Sequence, residues 1–547
     1  LFVSMIVAMT LTPLLCKLLL TNDNYLSRNQ KDKWIIRKLS ELYTHTLTWS
    51  LQHKKAILGA LIGLFILSSV LFFQMGHSFL PEFNEGSLTL AVVTKPGTSL
   101  EESDHLGTIV EKELLSISEI QSTARRTGRG ELDEHSQSSN GAEIDVNFKL
   151  KERSREAFLK DVRTKLANIP GVVASVGQPL GHRIDHILSG TRANIAVKLF
   201  GNNLNTMFRF GNDIKAAITG IEGLVDVSVE QQTETPQIQI KANRDMMNAY
   251  NVSMSTFNEF VTTAFNGEKM ADIYEGQRNF NLVLKLNKNY TESIDELKKS
   301  LLDTEDGKKV PLEQIAEVVS VAGPGSISRE NVQRKLVISA NVAGRDLRSV
   351  VNDIKKNINE KVKLPEGYRV EYGGQFESEA RASQTLMLTS IGAILLIFLL
   401  LYQEFKNTKL AGIVLLNLPL ALIGGVFAIF ITSNILSIPA IIGFITLFGI
   451  ATRNGILLIS HYQQLQQEGH NLQDTVIKGS MDRLAPILMT ALTAALALIP
   501  LALRGNLSGN EIQSPMAKVI LGGLMTSTLL NMYVIPIVYT LYKKKQE

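Results

Sequence analysis

The feature that most constrains this chain is a set of apolar runs, each near 20 residues long and almost free of charge. Runs of that length match a hydrocarbon core roughly 30 Å thick, in which a helix satisfies its own backbone. Six stand out, at 56–75, 386–403, 409–432, 438–460, 484–503 and 516–541. A seventh, 1–16, is shorter and starts at Leu1. It is expected to be a span cut by the start of the sequence. A signal peptide fits less well, because no basic stretch precedes the run and no small-residue cleavage site follows it. Between the first two full runs lies a block, about 78 to 382, that reads like a soluble protein.

Charge placement orients the spans. Lys and Arg number seven in 21–55, two in 404–409, two in 462–483 and three in the tail KKKQE. The opposite short loops, 433–437 and 504–515, carry only Arg504. Basic residues near span ends mark the cytoplasmic side, so the block 78–382 is expected outside the inner face, in the periplasm of a Gram-negative cell. The expected division is a truncated span at 1–20, a cytoplasmic segment at 21–55, a span at 56–75, an outer region at 76–385, five spans within 386–541 and a cytoplasmic tail at 542–547. The net charge of +4 calls for no nucleic-acid partner, since the basic residues gather at membrane edges, where lipid is the partner. Cys16 is the only cysteine, which excludes disulfides and thiolate metal sites from the outer block.

Within that block, strand-like 87–95, helical 99–116 capped by Ser99 or Thr98, strand-like 119–126 and 142–151, helical 154–168 and strand-like GVVASVGQ follow in order. This is a β-α-β-β-α-β cadence of the ferredoxin-like kind. A similar cadence returns at 194–241 and in part at 333–374, which predicts several small α+β subdomains in succession. The fold class expected is an α-helical transmembrane bundle of six to seven spans plus a large α+β region of such subdomains. No phosphate-binding loop of the G-x-x-x-x-G-K-[ST] type occurs, and no nucleophile–base spacing suggests an enzyme.

The stretch GHRIDHILSG places His182, Asp185 and His186 together. The two histidines share a face on a helix or on a strand, while Asp185 joins them only on a helix or turn. Imidazole with carboxylate suits divalent ions such as Zn²⁺, Co²⁺ or Ni²⁺, whereas thioether and thiolate suit Cu(I). On spacing alone, a polar loop binding nothing is the favoured reading. Glu143 and Asp145 lie two apart in GAEIDVNFKL, on one face of a predicted strand. Asp133, Glu134 and His135 form a third polar run, read as a solvated loop. In the membrane half, Arg453 is the single charge well inside 438–460, where ionisable groups are costly and mark functional paths. Gly424, Gly425, Gly522 and Gly523 permit close helix approach, and Pro419 and Pro500 permit kinks.

The segments RTGRGE, HRIDHILSGTRANIAVKLFG, LLYQEFKN, GIATRNGILLISHY, RLAPILMTALTAALALIPLAL and GGLMTSTLLNMYVIPIVY together resemble the C-terminal half of a resistance-nodulation-division efflux pump, in its heavy-metal branch. The resemblance implies a homotrimeric secondary transporter of the inner membrane that exchanges protons for metal. It implies as partners a periplasmic adaptor, an outer-membrane channel and an N-terminal half absent from this sequence. Copper and silver members hold substrate with methionines and a nearby acid. Against that pattern this chain has Ala91, Glu143 and His186 at the methionine positions and Asp145 at the acid. That implies a divalent ion held by Glu143, Asp145 and His186, assisted by His182 or Asp185, as transported substrate and not as a cofactor.

The same resemblance places Arg453 and Asn454 at a lysine–asparagine pair used in proton transfer, with Thr490 completing the network from the neighbouring span. Arginine keeps its proton at any working pH, so its role there is electrostatic. The Thr490 hydroxyl bonded back to its own helix is an equal reading. The carboxylates that carry the proton belong to a span not in this sequence, whose own spans hold no central Asp or Glu. Two rivals follow: a multidrug exporter, disfavoured by 7% aromatic content and ionisable ligands, and a non-transporting membrane-anchored scaffold, which leaves Arg453 without purpose.

Overall fold

The computed structural model describes residues 2–20, 34–81, 83–128, 138–181, 183–184, 193–230, 234–287, 293–324, 327–505 and 507–544. The chain opens with α1 (Phe2–Leu20), α2 (Trp34–Gln52) and α3 (Lys54–Gln74). The sequence reading had no helix at α2, which docks on the bundle through buried Tyr43 and Leu47. The Tyr43 hydroxyl donates to the Met532 carbonyl at 2.6 Å. The short strand β1 (Gly76–Ser78) then carries the chain out of the helical region.

A four-stranded antiparallel sheet follows, built from β2 (Ser87–Thr94), α4 (Leu100–Leu115), β3 (Ile120–Thr127), β4 (Gly141–Phe148), α5 (Arg155–Ala167) and β5 (Val172–Gly177). The spatial order is β3-β4-β2-β5. Both helices start where Ser oxygens accept from backbone N–H groups, Ser99 from Glu102 and Ser154 from Ala157. Alternate residues of β2 and β4, among them Leu90 and Ile144, are fully buried under the helices with Val110 and Phe158. Each such side chain contributes about 1.5–3 kcal/mol relative to exposure.

The second sheet corrects the sequence reading. β6 (Ile195–Phe200), α6 (Leu204–Ile218) and β7 (Leu224–Val229) do not close with the next strand, β8 (Glu234–Ala242). Instead β8 leaves with an insertion that includes the exposed hairpin β9 (Glu268–Glu275) and β10 (Arg278–Leu284), and it pairs antiparallel with the return strand β11 (Ala316–Pro324). Then β12 (Gln333–Val342), α7 (Leu347–Lys361) and β13 (Arg369–Gly374) complete the sheet that β6 began. β12 lies between β6 and β7, and β13 flanks β6. The stretches 194–241 and 333–374 are therefore one interrupted unit with one core, containing Val197, Ile214, Ile338 and Ile354.

The chain re-enters the helical region through α8 (Gln375–Phe405), α9 (Thr408–Leu415), α10 (Asn417–Thr432), β14 (Ile435–Ser437), α11 (Ile438–Gln467), α12 (Leu472–Leu503) and α13 (Gln513–Lys543). Among the described residues six helical stretches are long and apolar enough to cross a membrane: 54–74, 375–405, 408–432, 438–467, 472–503 and 513–543. Four of them, 375–405, 438–467, 472–503 and 513–543, extend beyond the apolar runs read from sequence, because regular helix continues into the flanking polar residues. Glycines set the closest approach. A Cβ on Gly424 would stand 2.1 Å from the Gly522 carbonyl oxygen, and one on Gly523 would stand 2.0 Å from Leu447 Cδ2. β14 pairs in parallel with β1, fixing the end of α3, the end of α10 and the start of α11 together.

Candidate functional site

Period-two alternation in β4 puts Ile144 and Val146 into the core and turns Glu143 and Asp145 to the open face of the first sheet. Pairing sets their neighbours. Ala91 of β2 lies opposite Glu143 and Thr89 opposite Asp145, while Arg126 of the edge strand β3 lies opposite Glu143 on the other side. Arg126 Nη2 stands 3.0 Å from Glu143 Oε1 and 3.6 Å from Asp145 Oδ2. The buried Thr89 hydroxyl donates to Asp145 Oδ1 at 2.9 Å. The two acids thus converge as the strand reading requires, around a cation the sequence reading did not include. Only the register reveals Arg126 as their neighbour.

His182, Asp185 and His186 lie outside the described residues, as do Asp133, Glu134 and His135. Among the described residues no three His, Cys, Asp or Glu side chains come together as a metal site. A cavity of about 820 Å³ opens between the two sheet units, bordered by Leu80, Phe83, Arg155, Lys160 and Arg345. One polar joint spans the units beside it. Asn341 Nδ2 donates to Asp226 Oδ2 at 2.9 Å and to Ser175 Oγ at 3.1 Å, and Arg163 Nε donates to Asp226 Oδ1 at 3.2 Å. Asp226 holds a left-handed φ of 55°, which Asp tolerates better than most residues.

In the helical region, Arg453 and Asn454 differ in exposure. Arg453 is exposed and has no ion-pair or hydrogen-bond partner among the described residues, while Asn454 is buried. The Thr490 hydroxyl donates to the Pro486 carbonyl of its own helix at 2.9 Å. The structure therefore does not join these three residues to one another. Sequence reading missed two further buried amides, Asn417 and Asn531, because single asparagines on separate helices carry no local pattern.

The sequence model of the AcrB/AcrD/AcrF family matches residues 1–543. The chain is 32% identical to Protein HelA of Legionella pneumophila, over 100% of this chain and 53% of that protein. It is likewise 32% identical to the cobalt-zinc-cadmium resistance protein CzcA of Cupriavidus metallidurans, over 100% of this chain and 52% of that protein. A crystal structure of a heavy metal efflux pump superposes with a TM-score of 0.80 at 26% identity, over 94% of this chain and 52% of the other. The chain spans about half the length of the relatives it matches.

Proposed function

Because the chain belongs to the AcrB/AcrD/AcrF family of resistance-nodulation-division pumps, we propose that it serves as the C-terminal half of a proton-driven exporter of divalent heavy-metal cations. In this reading the six apolar helices lie in the inner membrane and the two sheet units, ferredoxin-like by their strand order, stand in the periplasm. The working assembly is a trimer joined to a periplasmic adaptor and an outer-membrane channel, and the other half supplies the proton-carrying carboxylates. The complex is a secondary antiporter rather than an enzyme.

The observation that carries the substrate class is the convergence of Glu143 and Asp145 beside Ala91. Hard carboxylate oxygens with no thioether favour Zn²⁺, Co²⁺, Ni²⁺ or Cd²⁺ over Cu(I). His186, with His182 or Asp185, supplies the imidazole and further oxygen ligands. Arg453 acts as a fixed positive charge towards the other half, and Asn454 and Thr490 flank it on the network. Calorimetric titration of the full chain with Zn²⁺, Co²⁺, Ni²⁺ and Cu(I), beside a Glu143→Gln, Asp145→Asn double variant, tests the site. Divalent binding lost in the variant is expected. Cu(I) binding unaffected by the variant, with no divalent binding, overturns the assignment.

A further inference from the structure

Four buried polar side chains on three membrane helices carry atoms with no hydrogen-bond partner among the described residues: Asn417 Nδ2 and Oδ1, Asn454 Nδ2, Thr528 Oγ1, and Asn531 Nδ2 and Oδ1. Their relative exposures are 0%, 3%, 3% and 1%. Three independent registers bring them to one level. A Cβ on Gly455, beside Asn454, would lie 2.0 Å from Asn417 Nδ2, so the Asn417 amide occupies the notch that glycine leaves. Thr526 Oγ1 donates to the Leu420 carbonyl at 3.1 Å. α10 and α13 run antiparallel, so stepping back from Leu420 to Asn417 matches stepping forward from Thr526 to Thr528 and Asn531. α11 and α13 run parallel, with Gly443 against Met516 and Gly523 against Leu447. Moving on from Leu447 to Asn454 and from Gly523 to Asn531 covers nearly the same rise, at about 1.5 Å per residue.

A second observation falls at the same level. There, between α9 and α10, Leu416 keeps right-handed helical dihedrals and its N–H donates to the Gly412 carbonyl at 3.2 Å, so the span 408–432 continues through it. Pro419 has no N–H to return to the Leu415 carbonyl, which adds an acceptor to the cluster. A proline inside a membrane helix is tolerated where neighbouring side chains or ordered water satisfy the freed carbonyl. Other hydroxyls nearby behave differently: Thr452 donates to the Phe448 carbonyl at 2.7 Å and Ser527 to the Leu524 carbonyl at 3.3 Å. Those groups are satisfied within their own helices, and the four of the cluster are not.

We propose that Asn417, Asn454, Thr528 and Asn531 form a binding site for ordered water in the interior of the bundle. The unpartnered set decides the ligand class. It mixes three amide donors with amide, hydroxyl and carbonyl acceptors and carries no charge. A bare cation would leave the amide N–H groups unpaired, and an anion would leave the oxygens unpaired. Water donates and accepts, and buried waters characteristically bridge such groups.

The test uses the full chain in liposomes with asparagine side chains and leucine backbone amides labelled with ¹⁵N, observed by water-edited solid-state NMR. Signals are assigned by their loss in Asn417→Ser, Asn454→Ser and Asn531→Ser, with Asn531→Leu as a second variant at that position. Magnetisation from water is expected to reach the three amide groups as fast as it reaches exposed Asn248, and several times faster than the lipid-facing backbone at Leu529. Transfer as slow as at Leu529 overturns the proposal. So does a shift of these signals when Na⁺ is exchanged for choline, which would mark a cation in the water's place.

Discussion

Arg126 Nη2 lies 3.0 Å from Glu143 Oε1, so the acid proposed to receive a metal ion already holds a guanidinium. Arg126 is on an edge strand and its side chain is 56% exposed, so it swings into solvent at little cost. A divalent ion at this face competes with it. Removing the positive charge a few ångströms away is expected to tighten binding by roughly tenfold. The measurement is calorimetry of Zn²⁺ on Arg126→Gln beside the unchanged chain. Equal affinities would place the ion away from Glu143.

Gly424→Ala is expected to destabilise the helical bundle, since the new Cβ meets the Gly522 carbonyl oxygen at 2.1 Å and backbone cannot yield as a side chain does. Overpacking of this kind costs about 1–3 kcal/mol. Gly59→Ala is the control, because nothing lies within 4 Å of its Cβ position. There the greater helix propensity of alanine, about 1 kcal/mol, leaves stability equal or higher. Thermal unfolding in detergent compares the two.

Lys198, buried in β6, donates to Glu330 Oε1 at 2.9 Å, and Lys335 donates to Oε2 at 2.8 Å. The hydrogen bond from Lys335, then that from Lys198, holds the Glu330 carboxyl below its ordinary range. A lowered folded pKa means that this stabilisation is full above the unfolded value, about 4.3, and is lost as pH falls through the folded one. Glu330→Gln leaves Lys198 unpaired and is expected to cost roughly 1–3 kcal/mol at neutral pH, less than a fully buried pair because Glu330 is partly exposed. The gap between variant and parent should narrow on acidification, read by melting curves across that window.

Arg453 touches no partner among the described residues. Arg453→Leu is therefore expected to leave the melting temperature of the chain unchanged or slightly higher, within about 0.5 kcal/mol. Metal export by cells carrying the complete pump should fall to background, and Arg453→Lys should retain part of it, because lysine restores charge without the planar fork. Export maintained in Arg453→Leu would remove the residue from the coupling network.

What was legible in the sequence was local. The apolar runs, the cap at Ser99 and the helix that follows Ser154 depend on residues close together in the chain, and they appear where expected. What depends on pairing was not legible. The alternation in β8 is the same whether it lies beside β7 or beside β11, so the sequence reading assigned it to the wrong sheet. Glu143 and Asp145 were found from their spacing, but Arg126 becomes their neighbour only through the β3–β4 register. Asn417, Asn454 and Asn531 acquire meaning together, from three helices whose relative heights no single segment encodes.

The strands that carry the chain out to the insertion and back, β8 and β11, are hydrogen-bonded to each other along nine residue pairs. Departure and return therefore share one stem, and the sheet they interrupt closes as if the insertion were absent. Such a stem makes the insertion an exchangeable cassette. Its tip can lengthen, shrink or acquire a new partner surface over evolutionary time without re-threading the unit beneath it. The stem is also a narrow ribbon, so twisting of the sheet unit reaches the tip as tilt. Movement at the base would be felt by whatever grips the cassette, even with no change in the cassette's own shape.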